Sequence, residues 1–245
     1  LSFSYFSGKD EFLRMFEFPD FSSISKIESG IKWNNVGASI SWSHVWSDIN
    51  FSSTILSRSN YNSRSFSESN YKLNQGNPED TFTSELEDNN QIEDITIQLN
   101  NSSKLNSRHS LEFGLMYKRT FTQFFLESSE DNNPLIPKTV GLISIYFQDK
   151  LNTGKPLETT IGLRVSNYNL TGEYYIEPRA SFTYAFTDGF TLKGSAGYYK
   201  QFLHRFSNNF TMGEKKFVWI QSNEQLKPVS SQQFDIGFQH ENDYW

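Results

Sequence analysis

The feature that most limits how this chain can fold is a two-residue periodicity that recurs along it. Successive side chains of an extended strand point to opposite faces, so alternation marks strands that separate two environments. Residues 36–46 show it best: Val36, Ala38, Ile40, Trp42 and Trp46 share one phase, and Gly37, Ser39, Ser41 and Ser43 the other. Leu111, Phe113, Leu115, Tyr117 and Phe121 oppose Glu112, Gly114, Lys118 and Thr120. Ala180, Phe182, Tyr184 and Phe186 oppose Arg179, Ser181 and Thr183, while Phe234, Ile236 and Phe238 oppose Asp235, Gly237 and Gln239. Weaker alternation covers 26–33, 94–101, 157–165 and 191–201, with poorer patterns at 1–8 and 140–150. This predicts about ten strands, many near the roughly 9–11 residues that cross a bilayer at a tilt.

Composition narrows what those strands enclose. Only 36% of residues are hydrophobic and the mean hydropathy is −0.59, yet 16% are aromatic. Disordered chains are poor in aromatics. A barrel with a polar interior reconciles these values, because only alternate residues then face lipid. No apolar run approaches the ~18 residues of a membrane-spanning helix. Cysteine is absent, which removes disulfides and thiolate metal sites. A net charge of −6 argues against nucleic acid as a partner. Leu1 to Phe6 lack the basic start and apolar core of a signal peptide, so the first residue is expected to lie inside a longer protein.

The expected connections sort by length. Short turns are predicted at 34–35, 152–155, 187–189 and 242–243, with a somewhat longer one near 103–107. Longer polar stretches occupy about 9–21, 56–90, 128–138, 169–175 and 202–228. Short turns at one rim and long loops at the other are the asymmetry of outer-membrane barrels. Strand charges fall mainly on the polar phase: Lys26, Glu28, Lys32, Asp94, Glu112, Lys118, Glu158, Arg164, Arg179, Lys193 and Asp235. Arg119 and Glu93 are placed near the long-loop ends. A charge facing lipid at mid-depth costs ~2–4 kcal/mol, so a bilayer would impose this segregation. The competing fold is a soluble antiparallel sheet with one wet face.

Five motifs then appear in order. Ile145-Tyr146-Phe147-Gln148-Asp149-Lys150 precedes a short turn and Ile161-Gly162-Leu163-Arg164. Tyr175-Ile176-Glu177-Pro178-Arg179 opens the next strand, and residues 191–201 form the strand before a long loop. Glu224-Gln225-Leu226-Lys227-Pro228 leads into Phe234-Asp235-Ile236-Gly237. From about residue 139 onward the chain resembles the barrel of TonB-dependent receptors. That resemblance implies an all-β, antiparallel transmembrane wall in the bacterial outer membrane, with residues 1–245 forming part of a barrel of about 22 strands. The family's N-terminal plug, its TonB-contact segment and the final barrel strands are expected to lie outside these residues. The function implied is TonB-driven uptake of a scarce solute (siderophore, vitamin, glycan or peptide). The alternative is a non-transporting barrel that anchors partner subunits of a surface assembly. The expected partners are therefore outer-membrane lipid, TonB and a small solute.

Catalysis is not expected. His44, His109, His204 and His240 are isolated, with no metal-ligand spacing, nucleophile elbow or phosphate-binding glycine loop. No cofactor or metal is called for, although the acidic residues of 79–94 leave calcium open. The candidate ligand contacts are His204, Arg205, Lys215, Lys216 and Trp219, because cations beside aromatics suit an anionic, partly apolar ligand. Glu158, Arg164, Glu177, Arg179 and Lys193 are expected to face the lumen or plug, in a structural role.

Overall fold

A computed structural model describes residues 1–18, 24–72, 81–128, 132–154, 156–187, 189–209 and 215–241. The strands are β1 (Ser2–Glu17), β2 (Ile24–Ser47), β3 (Asn50–Lys72), β4 (Thr81–Lys104), β5 (His109–Ser128) and β6 (Asn132–Asn152). They continue as β7 (Leu157–Tyr168), β8 (Tyr174–Thr187), β9 (Phe190–Gln201), β10 (Leu203–Asn209), β11 (Lys215–Gln221) and β12 (Val229–His240). Ten of them form one open antiparallel sheet in the order β1 to β9 and then β12; β10 and β11 form a separate hairpin.

Directly paired residues of antiparallel strands share a face. Phe3 pairs with Ile40, Ile40 with Leu56, Leu56 with Ile97, Ile97 with Tyr117, and Tyr117 with Ile143. Farther round, Ile161 pairs with Ala180, Ala180 with Ala196, and Ala196 with Phe234. These chains of partners make one apolar band across the sheet, and most of its large side chains are exposed. So large a contiguous apolar surface is untenable in water but is what lipid requires. Residues 36–46 of β2 cover roughly 33 Å along the strand, which at a ~45° tilt is roughly 24 Å of height, matching the ~25 Å apolar belt of such barrels. Near the short-turn rim, Trp42 stacks on His44, Trp46 meets His44 edge-on, and Trp46 Nε1 donates to Ser52 Oγ at 2.9 Å. Amphipathic rings suit that interfacial depth.

The opposite face is polar and closely packed. Ser144 and Ser166 are buried there with their hydroxyls 2.8 Å apart. Gly114 sits on this face beneath the ring of Tyr146, whose hydroxyl donates to Asn100 Oδ1 at 2.8 Å. A Cβ at Gly114 would lie 2.5 Å from that ring and 2.3 Å from the Leu99 carbonyl oxygen. Glycine is what lets the tyrosine lie flat across the wall.

Several sequence expectations change. Asn34-Asn35 is not a turn, because β2 runs unbroken through it and pairs on both sides. The stretch 56–90 is mostly strand, since β3 and β4 pair from Asn50–Ser103 to Lys72–Thr81. The turn that precedes β3 is Asp48-Ile49, which the sequence reading did not place. The count of ten survives because splitting β2 offset the omission of β3. Strand β1 extends to Glu17 and β6 begins at Asn132, so 9–21 and 128–138 are shorter connections than expected. Continuity of β2 also moves Lys26, Glu28 and Lys32 onto the phase of Ile40, beyond the apolar band rather than opposite it. The turn expected at 242–243 lies outside the described residues.

The connections 48–49, 105–108, 153–156 and 188–189 fall at one rim, and 18–23, 73–80, 129–131, 169–173 and 202–228 at the other. A cysteine at Glu224 should react with an impermeant thiol reagent on whole cells, and one at Ser107 should not. The reverse pattern would invert the orientation, and equal reaction would refute a one-way crossing.

Candidate functional site

The 202–228 connection does not project away from the wall. Strands β10 and β11 pair from Leu203–Gln221 to Asn209–Lys215, and the hairpin lies on the polar face of the sheet. Asn90 Nδ2 donates to the Phe217 carbonyl at 2.8 Å, and Gln221 Nε2 donates to the Thr120 carbonyl at 3.1 Å. The ring of Trp219 meets that of Tyr61 edge-on at 6.5 Å. The base of the hairpin is fixed by Val140, Tyr168 and Tyr175, against which Phe202 packs. The rings of Tyr168 and Phe202 stack at 4.7 Å, and the Tyr168 hydroxyl lies 3.0 Å from the Ser222 carbonyl oxygen.

The candidate ligand residues separate on this hairpin. Arg205 and Trp219 are cross-strand partners, and the Arg205 guanidinium sits 3.9 Å above the Phe217 ring and 6.0 Å from that of Trp219. Arg205 is exposed. His204 is on the other phase, buried, with Nε2 2.8 Å from Ser222 Oγ. Burial pushes its pKa below the usual histidine value, so the ring is neutral at pH 7 and serves as a hydrogen-bonding partner. Lys216 and Lys215 pair through their backbones with Asn208 and Asn209, and their side chains lie outside the described residues. Between hairpin and wall is a cavity of about 270 Å³, lined by Lys118, Tyr168, Lys200, Phe202, Trp219 and Gln221 among others. Lys118 is held there by Asp94 at 3.0 Å.

Glu158, Arg164, Glu177, Arg179 and Lys193 all fall on the hairpin's face of the sheet. No ion pair joins any two of them among the described residues. Each has other company. Glu158 takes Lys150 at 3.2 Å, and Lys193 donates to Gln239. Glu177, 5% exposed, accepts the Lys200 backbone N–H at 3.0 Å. Arg164 and Arg179 lie 5.9 Å from the ring centroids of Tyr146 and Tyr199, respectively. Of the acidic residues of 79–94, Glu79 and Asp80 lie outside the described residues, and others diverge along β4: Glu87 and Glu93 face Arg64 and Arg58 on one side, and Asp94 faces Lys118 on the other. An extended strand turns neighbours to opposite faces, so they do not converge as a calcium loop must.

Sequence reasoning missed the hairpin's seat, including Tyr61, Asn90, Thr120, Tyr168 and Phe202. Phe217, Val218, Trp219 and Ile220 are apolar on both phases, so no alternation marks β11.

A lipid-facing apolar band, a polar inner face and a long connection folded onto that inner face define a transmembrane β-barrel wall of the outer-membrane receptor type. The family model for the TonB-dependent receptor-like β-barrel matches residues 12–245, and the chain belongs to that family. Its members are receptors of the Gram-negative outer membrane rather than enzymes. No curated sequence matches the chain significantly. Among solved structures, the RagAB peptide importer in its closed-closed state aligns with a TM-score of 0.50 and 14% identity, over 87% of this chain and 28% of that one. The siderophore receptor PirA from Pseudomonas aeruginosa aligns with a TM-score of 0.48 and 12% identity, over 98% of this chain and 50% of that one. The ferric enterobactin receptor PfeA from the same organism, as a mutant, gives 0.49 and 11% over 98% and 50%. At such identities the likeness is one of fold alone. The chain spans about half the length of the siderophore receptors it matches.

Proposed function

We propose that this chain forms part of the wall of a receptor that takes up a scarce solute across the outer membrane, driven by TonB through a plug inside the completed barrel. The observation that carries the reading is the hairpin β10–β11, inserted between two adjacent wall strands and seated on the inner face. Joining β9 to β12 needs no such device. Arg205 over Phe217 offers an anionic solute both guanidinium donors and an aromatic surface. His204, on the other phase, holds the hairpin through Ser222, and Lys215 and Lys216 bring two more positive charges to the start of β11. A siderophore, vitamin, glycan or peptide remains within this class, with the cation–aromatic pair favouring an anionic member. Glu158, Arg164, Glu177, Arg179 and Lys193 serve as structural charges of the lumen or plug interface.

The test is uptake by the full-length receptor with Arg205 and Trp219 both replaced by alanine. It should use whichever of a ferric chelate, peptide or oligosaccharide panel the wild type imports. Loss of one charge-assisted contact and its aromatic support should weaken apparent affinity roughly tenfold or more, with the barrel still folded. Unchanged affinity would remove the hairpin from ligand contact, and absence of any import would favour the anchoring role.

A further inference from the structure

The wall splits between β8 and β9. Their ladder ends at the pair Arg179–Gly197, although β8 begins at Tyr174 and β9 runs on to Gln201. Each strand stays paired on its other side, β8 with β7 as far as Asn167–Tyr174 and β9 with β12 as far as Gln201–Val229. Pro178, the first residue of β8 beyond the last pair, has no N–H, and prolines belong at ladder ends and edges. Continued register would set Glu177 opposite Tyr199. The Tyr199 ring instead folds back over Gly197, where a Cβ would lie 2.5 Å from its hydroxyl. The Glu177 side chain fills the gap. It is 5% exposed; Oε1 accepts the Lys200 N–H at 3.0 Å, and Oε2 accepts from Ser166 Oγ at 3.4 Å. No cation pairs with this carboxylate among the described residues.

A buried carboxylate is costly unless donors meet it, and an amide that leaves a ladder needs another acceptor. Here each answers the other, with Glu177 standing in for a main-chain carbonyl of β8. Two residues past that amide, Phe202 leaves the line of β9, packs on Tyr168 and Tyr175, and begins the hairpin connection. We propose that Glu177 is a positioning residue, whose side-chain oxygen holds β8 and β9 apart and so sets where the β10–β11 hairpin enters the lumen. The requirement is an acceptor at that reach rather than a negative charge. Its effect on solute binding rests on the reading of Arg205 and Trp219 as ligand contacts, whereas its effect on the hairpin's position does not.

The experiment compares E177Q, E177D and E177L in the full-length receptor. Three quantities are measured: exchange of the Lys200 amide, the spin-label distance from Ser207 on the hairpin to Leu105 on the short-turn rim, and solute affinity. The solute is whichever of a ferric chelate, peptide or oligosaccharide panel the wild type imports. Glutamine keeps the acceptor, and its NH2 can donate to Ser166 Oγ, so E177Q should match the wild type throughout. Aspartate keeps the charge but falls one methylene short, and leucine offers no acceptor. In both, Lys200 should exchange about tenfold faster, the distance distribution should shift, and affinity should fall about tenfold. Rescue by glutamine but not by aspartate separates this role from one of charge or of packing alone. If E177Q displaced the hairpin as far as E177D does, the proposal would be overturned, and E177L need not fold for that comparison. An unmoved hairpin in E177D, with Lys200 exchanging freely, would overturn it too. A displaced hairpin with unchanged affinity would uphold the positioning role and count instead against Arg205 and Trp219 as ligand contacts.

Discussion

Replacing Ile40 with arginine should destabilise the membrane-inserted protein by about 2–4 kcal/mol. Ile40 lies near the middle of the apolar stretch 36–46, is 48% exposed, and pairs with Phe3 and Leu56 on the same face. A guanidinium there must either enter hydrocarbon or draw water down to it. Arginine at Ser41, one residue along, points to the polar face and should cost less unless a plug lies against it. The same contrast applies to Ile236, 75% exposed, against Asp235, which accepts from Ser195 Oγ at 3.1 Å. It does not apply to Leu115 against Gly114, because any side chain at 114 strikes the Tyr146 ring and the Leu99 carbonyl. Reversible unfolding from vesicles would measure the difference. Equal losses at Ile40 and Ser41 would mean that β2 does not separate lipid from an interior.

Replacing Tyr168 with alanine should release the hairpin. Its side chain is 1% exposed, stacks on Phe202, and bonds to the segment just after β11. Truncating a buried aromatic of this size typically costs ~3–5 kcal/mol, whereas phenylalanine, which loses only the hydroxyl's contacts, should cost ~0.5–1.5 kcal/mol. Amide hydrogen exchange should rise across 203–221 in the alanine variant while the β4–β5 ladder stays protected. Unchanged exchange in the hairpin would show that the Asn90 and Gln221 contacts hold it without the aromatic base.

What the sequence disclosed follows from where a bilayer acts. Alternation is strong wherever one face must be apolar, so 36–46, 111–121 and 234–238 were legible. Above the band both faces of β3 and β4 are largely polar, the outer one through Arg58, Asn60, Asn62 and Arg64 and the inner one through Ser59, Ser63 and Ser65, which leaves no apolar phase to detect. These residues read as loop although they are paired throughout. Asn34-Asn35 has good turn chemistry, but continuous pairing with β1 and β3 overrides it. In the candidate site, Arg205 and Trp219 stood out by composition. Their seat did not, because Asn90, Thr120 and Tyr168 come from strands far away in sequence.

The strand order carries a consequence for how the wall assembles. Every strand from β1 to β9 neighbours the one that follows it, and only the step from β9 to β12 passes over an insertion. Each new pairing therefore closes a short loop, and loop-closure entropy stays small at every stage. Such a sheet can grow by zipping one hairpin at a time, with no stage waiting on a distant segment. The skipped step needs only the 27 residues of 202–228 to be accommodated, and β12 can dock on β9 before β10 and β11 find the inner face. The seat they occupy, built from β3 to β8, is complete by then, so the hairpin would be the last of these strands to acquire its place.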